Sequence, residues 1–418
     1  MVPSNRDQRW PNYEKRKAGL LVLLFTHAAY AIGATGAEAS GFIAIPLVKT
    51  YNLKEPDFDP PNSLFVNGGA LYGESQPDTS KLLHALNLDI EWDDYGYLAT
   101  IQIGTPPRDF KLLVDSGSAD LWVPGEGCQA GDGSGDCGNH TLLGPTFSSS
   151  FRHSGEFWMV KYGSGPVAGH IVSDHVTVAG LTLKSHRFAL ALRESKHYTL
   201  NRTLYDGIMG LARTVGWNHN LPSLVESLHG AGLIKRPIVS YRIPRAADGR
   251  SDGELAFGGM NPAKYKAASV VTLKNIGPIR FWEARMDSIV INGITLRIGR
   301  RSAILDSGTT FILGPRKDVA LLHTAIPGSR FSDGLWYIPC HTEVVLSLSF
   351  GGRAFPIQPR DLRATPLNKD DPNAECKSRI GEMRGRGGSQ WIVGDVFLKN
   401  VYFSTNLEKN EISLAELA

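Results

Sequence analysis

The chain carries the same short text twice. At positions 112–124 it reads LLVDSGSADLWVP and at 303–315 it reads AILDSGTTFILGP, so an apolar run ends in Asp-Ser-Gly at Asp115 and again at Asp306, 191 residues further on. A series of aliphatic residues predicts a buried strand, and a strand that ends on a carboxylate in a tight turn delivers that acid to a fixed point. Each copy is followed by a second shared element of two apolar residues and a glycine, Ile208-Met209-Gly210 and Ile392-Val393-Gly394. Recurrence in the same order predicts two related lobes, each contributing one carboxylate, with the pair meeting at the junction where binding clefts commonly lie. A lone Asp-Ser-Gly is a turn motif; the duplication carries the inference.

Such a pair has a definite chemistry. Two carboxyls in contact cannot both ionise cheaply, so they share a proton: one takes a proton from water while the other donates to a carbonyl oxygen. Water held between them then becomes the nucleophile for amide hydrolysis, with no metal, no cofactor and no covalent intermediate required. Gly117 and Gly308 let the two backbones approach closely, and the hydroxyls of Ser116 and Ser307 can bond across the junction to fix the carboxylates in plane.

From about Tyr95 onward the text is predominantly β, with short β-branched and aromatic runs such as HIVSDHVTVAGLTL and SIVINGITLRIG broken by Gly, Pro, Asn and Asp. Helical periodicity is confined mainly to LPSLVESLHGAGLI and RKDVALLHTAI. At 418 residues with 42% hydrophobic residues, the chain is long enough for two or three cores. Its balance of 44 Lys and Arg against 41 Asp and Glu, without a basic stripe, argues against a nucleic-acid partner.

The first 31 residues read as a signal peptide: Lys15, Arg16 and Lys17 precede the apolar run AGLLVLLFTHAAYAI, which ends in the small-residue site Ala29-Tyr30-Ala31. The run is short of a membrane span, the alternative being an uncleaved signal anchor, and no stable membrane partner is expected. The stretch from about Ser40 to Asp89 is rich in turn formers, and residues 32–85 form a propeptide in this reading, followed by lobes at 86–270 and 271–418. Four cysteines agree with export to the extracellular space or a vacuole. Of the three connectivities open to them, pairing Cys128 with Cys137 and Cys340 with Cys376 is favoured, because each bond then closes a local turn-rich excursion. Asn139 and Asn201 head glycosylation sequons. His170, His175 and His186 stand at no metal-ligand spacing with the cysteines and read as surface histidines.

At this point the sequence resembles the pepsin-like aspartic peptidases, in the manner of a secreted fungal-like member, and the resemblance runs from about Tyr95 to the C-terminus. It rests on Asp115-Ser116-Gly117-Ser118 followed by Leu121-Trp122-Val123-Pro124, on Asp306-Ser307-Gly308-Thr309-Thr310, and on the stretches IQIGTPPRDF and FWEARMDSIVING that approach the two motifs. It implies a bilobal pepsin-like fold of two duplicated β-barrel-like lobes with the active site in the cleft between them. It also implies a monomeric acid endopeptidase with protein and peptide substrates, preferring large hydrophobic residues around the cut and blocked by pepstatin-like inhibitors. Asp115 and Asp306 would be catalytic, with Ser116, Ser118, Ser307 and Trp122 supporting them. Tyr162, Gly163, Ser164, Gly117, Gly308, Thr309 and Ile208 would bind substrate, the first three in a hairpin that closes over it and in which Tyr162 hydrogen-bonds Trp122.

Three features depart from the family pattern. Both motifs read Asp-Ser-Gly where Asp-Thr-Gly is commoner at least once, Pro166 stands near the hairpin tip, and Lys49 has few basic companions in the propeptide. Serine keeps the hydroxyl, so activity is expected to survive. A non-catalytic relative keeping the fold would usually have lost an aspartate, the hairpin tyrosine or a supporting hydroxyl, and all are present. A glycosidase also uses two carboxylates, but not normally from two copies of one turn.

Overall fold

A computed structural model describes residues 84–91, 94–200, 203–214, 221–249, 252–277, 280–366, 371, 374–383 and 388–418. The signal segment, the propeptide up to residue 83 with Lys49, and Asn201 lie outside the described residues.

The sequence repeat becomes a repeated strand arrangement. In the first half, Arg108–Asp115 runs parallel to Gly207–Gly210, with Leu113 opposite Ile208, and the strand that leaves the turn, Leu121–Ala130, returns antiparallel on the other side of Gly207–Gly210. In the second half, Arg301–Leu305 runs parallel to Gln390–Val393, with Ile304 opposite Ile392, and Ile312–Gly314 returns antiparallel on its far side. A strand paired on both edges and buried on both faces is apolar throughout, as Gly-Ile-Met-Gly is, whereas in Gln390–Val393 Trp391 and Val393 are buried and Ile392 is half-buried. The glycine that closes each element lies under the Asp-Ser-Gly turn. A Cβ on Gly210 would strike the backbone of Ala119, and one on Gly394 would strike the carbonyl of Thr309.

Around the first copy an eight-stranded sheet closes on itself, because Gly96–Ile103 pairs both with Arg108–Asp115 and with Gly165–Val178. The second copy lies in a five-stranded sheet, beside two four-stranded sheets. A further six-stranded sheet joins the halves, drawing on His84–Asn87, Ile238–Arg242 and Glu254–Phe257 as well as Val271–Lys274, Val401–Asn406 and Glu411–Glu416. Its centre is packed by Tyr241 stacked on Phe403, rings 4.8 Å apart on directly paired positions. Each such buried aromatic contributes roughly 2–3 kcal/mol by leaving water.

Both expected helices are present. Leu224–Gly230 opens with a capping box in which Ser223 accepts from the Glu226 N–H and Glu226 reaches back to the Ser223 N–H, with Pro222 just outside the cap. Arg316–Thr324 follows Pro315. One sequence reading is corrected: His186 is buried, and burial pushes its imidazole down to about 4. The reason is a bulge where Asp174–Val176 faces Leu183–His186, with Ser185 at φ 55°, which shifts the alternation so that His186 turns inward behind Leu183.

Candidate active site

Asp115 is the last residue of its strand and is 6% exposed, while Asp306 follows directly after its own strand and is half-buried. Four hydrogen bonds cross between the turns. The Ser116 N–H donates to the Ser307 hydroxyl at 3.0 Å and the Ser307 N–H to the Ser116 hydroxyl at 2.9 Å. Each hydroxyl then donates to a carbonyl of the other half, Ser116 to Leu305 and Ser307 to Val114, both at 2.9 Å. Every polar atom in this buried exchange is therefore paired, and the turns are held in one mutual orientation.

The carboxylates are held in the same way on both sides. Asp115 accepts from the Gly117 N–H at 2.8 Å and from the Ser118 hydroxyl at 2.5 Å; Asp306 accepts from the Gly308 N–H at 2.9 Å and from the Thr309 hydroxyl at 2.7 Å. The glycines also serve the opposite acid. A Cβ on Gly117 would collide with the Asp306 carboxylate and one on Gly308 with that of Asp115, so each turn leaves room for its partner's acid. Burial, and then the neighbouring Asp306 carboxylate, push Asp115 up to about 7, although the Ser118 and Gly117 bonds pull the other way. The Asp115 carboxyl is thus held well above the usual carboxylate range.

Over this site lies a hairpin of Arg152–Tyr162 and Gly165–Val178, closed by the pair Tyr162 and Gly165 around the tip residues Gly163 and Ser164. The Trp122 indole donates to the Tyr162 hydroxyl at 3.1 Å, and that hydroxyl also hydrogen-bonds Ser118. A connected series therefore runs from the hairpin through Trp122, Tyr162 and Ser118 to Asp115. Ile208 is 3% exposed and belongs to the apolar cluster that joins Trp158 of the hairpin to Trp122 and Tyr198.

Other sequence readings fall elsewhere. The disulfides are Cys128–Cys137 and Cys340–Cys376. Asn139 is exposed beside the first. Among the described residues, the grouping with metal-ligand proximity is Cys128, Cys137 and Glu194, whose sulfurs are committed to the disulfide.

Two features had no counterpart in the sequence reading. Tyr198 packs edge-on against Trp122, with ring centroids 5.5 Å apart, and its hydroxyl shares a hydrogen bond with Ser164 at the hairpin tip. A buried ionic cluster links the two halves near the second turn: Lys399 contacts Asp94 at 2.8 Å and Asp361 at 3.3 Å, and Arg245 contacts Asp361 at 3.0 Å. Asp395, which continues that turn through its N–H to the Thr309 carbonyl, buries a carboxyl without a hydrogen-bond partner; burial holds it well above the usual range. No spacing rule connects these residues, and charged side chains in sequence read as surface.

The arrangement brings one carboxyl from each of two duplicated turns to a common junction. Residues 96–417 match the family model described as eukaryotic aspartyl protease, and the chain belongs to that family. It is 32% identical over 333 residues to a probable aspartic-type endopeptidase CTSD of Trichophyton verrucosum, covering 79% of this chain and 63% of that one. It is 31% identical over 330 residues to the aspartic-type endopeptidase ctsD of Aspergillus fumigatus, covering 78% and 67%, and 33% identical over 311 residues to mouse napsin-A, covering 72% of each. The chain thus spans less than two thirds of the length of the Trichophyton relative.

Proposed function

We propose that this protein is an aspartic endopeptidase that hydrolyses peptide bonds at acid pH through water held between Asp115 and Asp306. The observation that carries the reading is the reciprocal scaffold, in which each turn orients its own carboxylate and makes room for the other. With one proton on the pair, the ionised carboxylate removes a proton from water as its oxygen bonds to the scissile carbonyl carbon. The protonated carboxyl gives its proton to the carbonyl oxygen. Collapse of the resulting gem-diol breaks the C–N bond, with a proton passing to the leaving nitrogen and the pair returning to its single-proton state.

In this reading the hairpin closes on an extended peptide. Backbone groups of Gly163, Ser164, Gly117 and Gly308, with Thr309, hold the strand, and large hydrophobic residues flank the cut. Pepstatin-like inhibitors would occupy the same strand. Removal of residues 1–31 and then of the segment to 85 would release a monomer of two lobes meeting near 270. The signal-like N-terminus and the two disulfides support secretion or vacuolar delivery, and none of the described helices is long and apolar enough to cross a membrane. A non-catalytic binding role is disfavoured by the presence of both acids with all their supporting hydroxyls. The test is hydrolysis of a denatured protein between pH 2 and 8 with and without pepstatin: acid activity abolished by pepstatin is expected, and pepstatin-resistant hydrolysis would reject the reading.

A further inference from the structure

The tip of the hairpin is fastened to a neighbouring turn. The Ser195 N–H donates to the Pro166 carbonyl at 3.0 Å, and the Ser195 hydroxyl donates to the Ser164 carbonyl at 3.2 Å. On the other side of the same turn, Ser164 and Tyr198 share a hydroxyl hydrogen bond. The fit is steric as well as polar. Gly165 sits at φ 133°, and a Cβ there would collide with the Ser195 side chain, so Ser195 fills the space that the glycine leaves open.

The turn itself is anchored away from the hairpin. The Gly131 N–H donates to the Glu194 carbonyl at 2.6 Å beside the Cys128–Cys137 bond, and His140 Nε2 donates to the Tyr198 carbonyl at 2.9 Å; within the turn, the Tyr198 N–H donates to the Ser195 carbonyl at 3.0 Å. Tyr198 is buried against Trp122. Of the two partners, the turn is the braced one and the exposed Ser164 tip is the one free to lift.

We propose that Ser195 is a positioning residue for the hairpin: the turn from Ser195 to Tyr198 is a fixed seat, and the Ser195 hydroxyl sets how much of the time the tip rests on it. This rests on the reading of the hairpin as the element that closes over substrate. The seated tip places Tyr162 against Trp122 and Ser118, so losing the seat exposes the pair of acids and weakens the hold on peptide without touching either acid.

The test compares the unaltered protein with Ser195→Ala and with Ser195→Thr, which keeps the hydroxyl. Amide hydrogen exchange at residues 163–165 of the free protein should quicken about fivefold in the alanine variant, the factor expected from one net hydrogen bond, and return toward normal in the threonine variant. With a quenched fluorogenic peptide bearing two large hydrophobic residues at its centre, KM should rise by a similar factor in the alanine variant while kcat stays within about twofold. Because exchange is read without substrate, it judges the seat even if the peptide is not cleaved. Unchanged exchange in Ser195→Ala, or threonine behaving like alanine, would overturn the proposal. Faster exchange with KM unmoved would also overturn it, by separating the seat from substrate binding.

Discussion

The Ser116 N–H donates to the hydroxyl of Ser307, and the Ser307 N–H donates back to the hydroxyl of Ser116, at 3.0 and 2.9 Å. These residues occupy the same place in two copies of one turn, so the contact is a local two-fold relationship inside a single chain. It converts a repeat in sequence into a rigid junction between halves, and the two acids inherit their mutual geometry from it.

Removing one of these hydroxyls should cost more than one contact. Ser307→Ala deletes the acceptor for the Ser116 N–H and the donor to the Val114 carbonyl, leaving two buried backbone groups unpaired. The expected destabilisation is about 2–4 kcal/mol, with kcat reduced roughly 10- to 100-fold as the acids lose alignment. Ser116→Ala should behave alike, and the double variant should lose much less than the sum, since both changes break one network. Denaturant unfolding and single-substrate kinetics on the three variants provide the check. Strict additivity would mean that the serines act independently.

The ionic cluster should be intolerant of losing its cation. Lys399→Met leaves Asp94 and Asp361 in a buried site without their shared cation, Asp361 keeping Arg245 and the Asn400 amide as partners and Asp94 keeping the Ala246 N–H. A loss of roughly 3–5 kcal/mol in urea unfolding is expected, because an uncompensated buried charge costs more than the pair contributes. Replacing Lys399 by Met together with Asp94 by Asn should recover part of that loss.

Stability should fall as pH rises through neutrality. Burial pushes Glu91 up to about 7, against the N–H of Leu204, and pushes Glu194 up to about 8. Both are protonated in the folded protein over a range in which the unfolded chain, with carboxyls near 4.5, has released its protons. Their contribution is therefore complete below about 4.5 and is lost progressively as pH climbs through 7 and 8. Below about 6.5 the buried His186, neutral in the folded chain and charged in the unfolded one, opposes this trend, so melting temperatures should decline most clearly from pH 6.5 to 8, and Glu194→Gln should flatten that decline. A melting temperature that rises over the same interval would contradict this.

What could be read in the sequence was whatever repeats or alternates. Asp115 and Asp306 were legible because two identical turns recur in order, and the hairpin because Tyr162, Gly163, Ser164 and Gly165 match the closing hairpin of the family that the sequence resembles. The capped helix at Leu224–Gly230 was legible from its proline and periodicity. His186 was misread because a bulge changes which face a side chain takes without leaving a mark on composition. Lys399, Asp94, Asp361 and Arg245 were invisible because they converge from distant parts of the chain, and each alone looks like a solvated charge. Tyr198 lies in a stretch without periodicity, and only the folded chain brings it to Ser164 and Trp122.

The central claim, that Asp115 and Asp306 act as one acid pair sharing a proton, is tested most directly by the pH profile of kcat/KM for the unaltered protein beside Asp115→Asn and Asp306→Asn. Burial and the neighbouring Asp306 hold Asp115 at about 7, so the account predicts activity at acid pH that disappears as pH rises through that value and the pair loses its last proton. It predicts further that either asparagine lowers turnover at least 10³-fold, with a native circular dichroism spectrum, because an amide cannot exchange the shared proton. Near-normal turnover in either variant, or an optimum above pH ~7, would contradict it.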